Sequence, residues 1–484
     1  MRVVDLVVHR AEQVNREPAV IFESSKVTFR DLLALVERSS KLIASSVPPN
    51  GGVLLGGDPL DKIVGFFASM MAERVVFMGI GRNDKDEETR GFTHLFQAGG
   101  ISSLGVDSQN WVEAIDGFAF VVETSGTTGK PKLVVHDNRS LAANIFLTAS
   151  VEDELHGDEA AHFTDAGSAM QLLVNRSPHG LRFLSGMPLT SIAGVSMLMR
   201  AIAMGEQFAV SPSIDPSTVW ESAISLAVSN VGLPPFTAGR FALFAEDQSR
   251  NRPALLHLGI GGSFADPNLV ERLESGLDCL VTVGFGATEL GGVAIMSRPW
   301  DAAEIRWETI GRPLNGVDVV LQEVDRRGSE LLVRSPAIAR GVVVDGELRE
   351  LEEWFHTGDR ATITKGGLLT VSGRVDFVIS RGTHRIDPAR IEAFIERHPL
   401  VDRCGVAGVP SRISGNEDII AFVTLNEMAS AQIGFDELLS EIRQDCIRSL
   451  AFHEVPRRVR IIENIPLAAD SSPDRFGLSK LARL

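Results

Sequence analysis

The stretch Phe118–Lys132, FAFVVETSGTTGKPK, decides how this chain is read. Its first half is an apolar run that reads as a buried strand. Its second half, Thr124–Lys132, packs two glycines, four hydroxyls and two lysines into nine residues. Glycine lets successive backbone N–H groups turn toward an anion, and hydroxyl and ammonium groups add donors for phosphate oxygens. A buried strand that delivers such a loop reads as a phosphate cradle. A plain Ser/Thr/Gly surface loop would not call for the lysines. The spacing is not that of a Walker A loop: two residues separate Gly126 from Gly129, and Pro131 follows Lys130. A Walker A loop needs four residues between its glycines and a Ser or Thr after the Lys. A P-loop kinase or ATPase is therefore disfavoured.

Outward from this loop, short apolar runs alternate with polar and helical segments. GGVLLGG (51–57), DKIVGFFASMMA (61–72) and RVVFMGI (74–80) precede it; SAISLAVSNVG (222–232), ALLHLGIGG (254–262) and CLVTVGFG (279–286) follow as buried-strand candidates. This alternation predicts an α/β layer architecture. Between Gly311 and Gly373 the texture becomes β-rich and turn-punctuated, as in DVVLQEV, SELLVRSPA, GVVVDGELRE and LLTVSGR, which predicts a smaller antiparallel unit. The last hundred or so residues hold two helical patterns, PARIEAFIERHP (388–399) and FDELLSEIRQDCIRSL (435–450), around the strands CGVAGVP and DIIAFVTL. The expected organisation is a large multi-sheet α/β domain over 1–373, with 311–373 as its β-rich part, and a small α/β domain over 377–484.

Composition narrows the function classes. Apolar residues at 44% and charged residues at 23% of 484 are those of a globular protein. A net charge of −16 argues against nucleic acid and anionic membrane as partners. Cys279, Cys404 and Cys446 stand without the spacing of a zinc site or disulfide framework, which suits a reducing compartment. The N-terminus lacks a signal-peptide core. The best apolar candidate for a membrane span, Ser196–Val210, is broken by Arg200 and Glu206. A cytoplasmic protein is expected.

TSGTTGKPK resembles the signature of the AMP-forming adenylating enzymes, a group that includes acyl- and aryl-CoA synthetases, peptide-synthetase adenylation domains and luciferases. Other stretches similar to that family's motifs follow in order: GFGATE (284–289), WFHTGD (354–359) and GRVD (373–376). Further similarity lies in GIGGSFADPNLVERL (259–273), GRPLNGV (311–317), IDPARIE (386–392) and HEVPRRVRIIENIPL (453–467). The resemblance runs from about Thr28 to the C-terminus. It implies joining a carboxylate to the α-phosphate of ATP with Mg²⁺, followed by transfer of the acyl group.

Carried over residue by residue, the resemblance gives ATP contacts to Thr124, Ser125, Gly126, Thr127, Thr128, Gly129, Lys130 and Lys132, and to Gly262, Ser263, Phe264, Phe285 and Gly286. Glu289 resembles the Mg²⁺ ligand and Thr288 a donor to the α-phosphate. Asp359 resembles the carboxylate that accepts the ribose hydroxyls, with Arg374 near ribose or phosphate. Asp376 falls at the interdomain hinge, which makes the small domain mobile. Phe285 replaces the usual adenine-stacking tyrosine and keeps the ring face. Val283 replaces an amide or acid and cannot hydrogen-bond through its side chain. The family's catalytic Gly-Lys pair has two counterparts. A gapless register gives Ser471-Ser472, while a short insertion gives Lys480, with Arg483 at the family's spacing; Lys480 is the favoured catalytic lysine.

The acid pocket implied by the resemblance lies between the helix after MPLTSIAG (187–194) and the strands ending in GIGG and VGFG, with Ser191, Gly194, Gly261, Gly284 and Gly291 among its residues and Met187, Met197 and Met199 beside it. PLTSIAGVSMLM holds no acid to pair with an α-ammonium, so a plain carboxylic acid is favoured over an α-amino acid. The acceptor implied first is a CoA or carrier-protein thiol. The alternative is an amine, which Thr383 supports by filling a position the family keeps as glycine beside the thiol's path. A nucleotide-binding homologue with impaired catalysis is the reading from another class.

Overall fold

A computed structural model describes residues 2–22, 25–49, 51–78, 92–104, 110–124, 132–151, 180–247, 249–262, 265, 267–325, 328–375, 379–381, 384–411, 417–426, 434–467 and 472–483. The fold is mixed α/β: a large multi-sheet domain followed by a smaller domain built on its own sheet at the C-terminus.

Two broad sheets face each other across shared helices. In the eight-stranded sheet, strands Gly52–Leu55, Val75–Met78 and Ala119–Thr124 run parallel, and Ala119–Thr124 then turns through the glycine-rich loop into antiparallel Lys132–Asp137. In the nine-stranded sheet, Arg182–Ser185, Gln207–Ala209, Asn230–Leu233, His257–Gly261 and Leu280–Ala287 are all parallel. Their carboxyl ends therefore share one edge, where open α/β sheets bind ligands. Helix Ile192–Met204 lies between the sheets and is apolar over most of its surface, with Arg200 its one charged residue. Ser191 caps its start by accepting from Gly194 N at 3.1 Å, and Gly205 ends it with φ 70°.

Two sequence expectations are corrected by the backbone. SAISLAVSNVG is not one strand: its first residues close helix Pro216–Ser225, and the strand is Asn230–Leu233. The β-rich stretch is also divided. Asp318–Asp325, Gly328–Arg334, Phe355–Ile363 and Leu369–Arg374 form a four-stranded antiparallel sheet, but the hairpin Gly341–Val344/Glu347–Glu350 joins Lys132–Asp137 in the eight-stranded sheet. Alternating apolar residues tell that a strand exists, but not which edge it covers.

The C-terminal sheet pairs Val401–Pro410 with Glu417–Leu425 and Arg458–Ile461. Helix Phe435–Ser449 lays Leu438, Ile442 and Cys446 into its core, a four-residue spacing that puts them on one stripe. This domain touches the large one through Arg240, which donates to the Val401 carbonyl at 3.2 Å, and through Arg403, stacked 4.1 Å over the Phe236 ring. All three cysteines are buried free thiols. Among the described residues no helix is long and apolar enough to cross a membrane.

Candidate active site

A cavity of about 1510 Å³ opens at the shared carboxyl edge, between the two large sheets, the four-stranded sheet and the C-terminal domain. Thr124 and Lys132, the two ends of the glycine-rich loop, lie on its wall. Ser125, Gly126, Thr127, Thr128, Gly129 and Lys130 between them are outside the described residues, as are Ser263, Phe264 and Asp376. The loop's ends are pinned by pairing of Thr124 with Lys132 in the hairpin.

Strand Leu280–Ala287 brings Gly284, Phe285 and Gly286 to the wall, and the turn after it brings Thr288 and Glu289. Gly286 is glycine for a steric reason: a Cβ there would collide with the Gly292 carbonyl of the next strand. Val283 is 7% exposed and bonds with its backbone to Ser297, accepting from Ser297 N at 3.0 Å and donating to its hydroxyl at 2.9 Å. Gly261, the last residue of the neighbouring strand, and Gly262 just after it lie on the same wall.

The turn carrying Thr288 is held from behind by His136, which the sequence reading missed. His136 Nε2 lies 2.9 Å from the Thr288 carbonyl, and Nδ1 lies 3.2 Å from Ser140 Oγ. Burial pulls the imidazole's pKa down to about 4, so it is neutral near pH 7 and its Nε2–H donates to Thr288. The signal available was its place in strand Lys132–Asp137, four residues after the loop's last lysine.

Asp359 reaches the cavity from strand Phe355–Ile363, opposite Arg374, whose side chain is outside the described atoms. Glu330 steadies this stretch, accepting from Gly358 N at 3.0 Å and contacting His356 Nδ1 at 3.1 Å. Glu330 was also missed, because in SELLVRSPA it looks like the polar half of an ordinary strand.

Not every expected residue meets the cavity. Ser191 does, while also donating to the Pro188 carbonyl at 2.8 Å. Gly194 and Gly291 do not: each is glycine because a Cβ would meet backbone, at Pro188 and at Ala337. Met187 and Met197 form wall, whereas Met199 is wholly buried core. From the C-terminal domain, Ser472, Pro473, Asp474 and Arg475 face the cavity. Lys480 is exposed on the helix that follows, Arg475–Arg483, and is not on the wall. Arg475 is already engaged, donating to the buried Glu392 at 2.8 Å and to the Val406 carbonyl at 3.1 Å.

Residues 80–343 match the family model of AMP-binding enzymes, and residues 390–470 that of the AMP-binding enzyme C-terminal domain. The 2-succinylbenzoate–CoA ligase of Listeria monocytogenes is 23% identical, with 96% of each chain covered. A mitochondrial medium-chain acyl-CoA ligase of Homo sapiens is 23% identical over 73% of this chain, which spans 56% of that protein's length. The match to the Macaca fascicularis counterpart spans only 36% of it. Among solved structures, an anthranilate CoA ligase with anthranoyl-AMP superposes with a TM-score of 0.77 at 19% identity, covering 100% of this chain and 98% of that one. An amide bond synthetase from Marinactinospora thermotolerans gives 0.72 at 19% identity, covering 99% of each. The o-succinylbenzoate CoA synthetase of Bacillus subtilis with ATP and magnesium gives 0.71 at 18% identity, covering 98% of each. With more than half of its residues inside the first family model, this chain belongs to the family of AMP-binding enzymes.

Proposed function

We propose that the chain joins a small-molecule carboxylic acid to the α-phosphate of ATP, with Mg²⁺, and releases pyrophosphate, leaving an acyl- or aryl-adenylate. The observation that carries this reading is the convergence of Thr124, Lys132, Thr288, Glu289 and Asp359, drawn from three separate motifs, on one cavity. In the step, a carboxylate oxygen bonds to the α-phosphorus while the bond from that phosphorus to the bridging oxygen breaks, its electrons leaving with pyrophosphate. No proton needs to be removed, so the protein's task is alignment and neutralisation of charge.

On this reading Lys132 and its loop hold the β- and γ-phosphates, and Thr288 donates to the α-phosphate. Phe285 offers adenine a ring face, and Asp359 accepts from the ribose hydroxyls. Glu289 fits a hard cation that takes one protein carboxylate and shares phosphate oxygens, which is how Mg²⁺ is usually held; when bound, the ion offsets phosphate charge. Lys480 remains the proposed source of the last cation. It faces solvent in this arrangement, so its role requires the small domain to turn about the hinge near Asp376. The domain limits proposed are 1–373 and 377–484.

The activated acyl group then passes to a CoA or carrier-protein thiol. Capture by an amine is the second reading, supported by Thr383, which lies outside the described residues. The unpaired buried cysteines favour a cytoplasmic setting. Pyrophosphate release from ATP and Mg²⁺ over a panel of acids, with hydroxylamine as a universal acceptor, tests the proposal. Silence across the panel with ATP bound would favour a nucleotide-binding homologue with impaired catalysis.

A further inference from the structure

Helix Asn138–Ala149 supplies Thr148 to the wall of the cavity. One turn earlier on the same stripe stands Asn144, wholly buried and not itself on the wall. Neither Nδ2 nor Oδ1 of its side chain has a hydrogen-bond partner among the described residues. A buried amide left unpaired works against the fold, and a leucine has the same branched outline without that penalty. The amide therefore calls for a partner that the protein itself does not supply.

The amide faces Gly292, a wall residue with φ 121°. The first atoms a Cβ on Gly292 would meet are Asn144 Nδ2 and Ser196 Oγ, each at 3.0 Å. With no side chain there, the space over that α-carbon is bordered by one amide and one hydroxyl. Ser196 is also on the wall, and it donates its proton to the Gly291 carbonyl at 3.2 Å, which leaves its oxygen to accept. Gly292 pairs across the hairpin with Ala287, the residue before Thr288. The niche thus adjoins the edge where the adenylate forms on the reading above.

We infer that this niche selects a short acid carrying an uncharged hydroxyl, which accepts from Asn144 Nδ2 and donates to Ser196 Oγ. The hydroxyl closes an unbroken chain, from the amide through the ligand oxygen to Ser196 and on to the Gly291 carbonyl. A ketone oxygen would accept from the amide but give Ser196 nothing, and a methyl would leave the amide unpaired. A carboxylate or ammonium would be desolvated against two neutral dipoles. The inference names the substrate class of the site proposed above and rests on that reading.

The test is calorimetric binding of acid pairs to the full chain in the presence of AMP. The pairs are 2-, 3- and 4-hydroxybenzoate and 2-, 3- and 4-hydroxybutanoate, each against the acid with a methyl in place of the hydroxyl. At least one hydroxy acid is expected to bind about tenfold or more tightly than its methyl partner. Asn144→Leu is expected to reduce that ratio to below about twofold, with Tm unchanged or higher because an unpaired amide is gone. Ser196→Ala, which keeps the amide and removes the acceptor, is expected to cut the same ratio by at least about threefold. Equal binding within every pair, as a water alone in the niche would give, overturns the inference. So does a preference that survives either variant, or no binding by any acid. Pyrophosphate release, measured separately, keeps the two readings apart. A hydroxyl preference without turnover contradicts adenylation alone; turnover without a hydroxyl preference contradicts the niche alone.

Discussion

His136 Nε2 lies 2.9 Å from the carbonyl oxygen of Thr288, tying the strand that follows the glycine-rich loop to the turn that carries Glu289. Two stretches about 150 residues apart are thereby fixed against each other by one buried neutral imidazole. If, as proposed, the loop holds a phosphate and Glu289 a cation, this spacing has to be kept to well under an ångström.

His136→Ala should lower kcat by about tenfold to a hundredfold with a smaller change in the KM for ATP, since alignment rather than contact is lost. His136→Gln, whose amide can still donate to the Thr288 carbonyl, should recover part of the loss. Steady-state kinetics of the two variants check this; equal loss in both would reduce His136 to a packing residue.

Glu289→Gln should cut adenylation by about a hundredfold or more and raise the Mg²⁺ concentration needed for half-maximal rate, because a neutral amide is a poorer ligand for a hard cation. Titration of the rate with Mg²⁺ gives the answer. An unchanged Mg²⁺ requirement would remove Glu289 from the metal's surroundings.

Lys480→Ala should abolish adenylation while leaving ATP binding intact. The partner experiment is Ser472→Lys, which puts an ammonium on the cavity wall where the gapless register would have one. Loss in the first with no gain in the second supports a turn of the C-terminal domain. An unaltered Lys480→Ala rate, with a gain in Ser472→Lys, shifts the role to the Ser472 position.

Acid should destabilise the fold through its histidines. His136 and His257 are both held near pKa 4 in the folded protein, against 6.5 when exposed, so the unfolded chain binds more protons between these values. Their contribution is complete above about pH 6.5 and is lost progressively as pH falls toward 4. Urea midpoints at pH 7 and pH 5 should therefore differ, and His257→Gln should show a smaller drop. An equal drop would contradict the burial assigned to that imidazole.

Much of this was legible because the chemistry is local. A loop such as TSGTTGKPK gathers its donors within a few positions, and a block such as WFHTGD carries its resemblance to the family in the same compact way, so neither needs the fold to be seen. What spacing could not give was partnership across the fold. His136 and Glu330 act on residues far away in sequence, and each looks unremarkable in its own strand. In the sequence Arg200 and Glu206 read only as breaks in an apolar run; their pairing depends on where Gly205 ends the helix. Gly194 and Gly291 read as pocket glycines in the sequence, yet each sits where a Cβ would meet backbone. The end of the chain was hardest to read, because two registers for one lysine differ only by a short insertion.

The most direct measurement follows oxygen from the acid. With a substrate whose carboxylate carries ¹⁸O, bond formation at the α-phosphorus must leave one labelled oxygen in AMP once the acyl group has been transferred. The account predicts singly labelled AMP together with unlabelled pyrophosphate. Unlabelled AMP, or label in inorganic phosphate with ADP as the co-product, would contradict it.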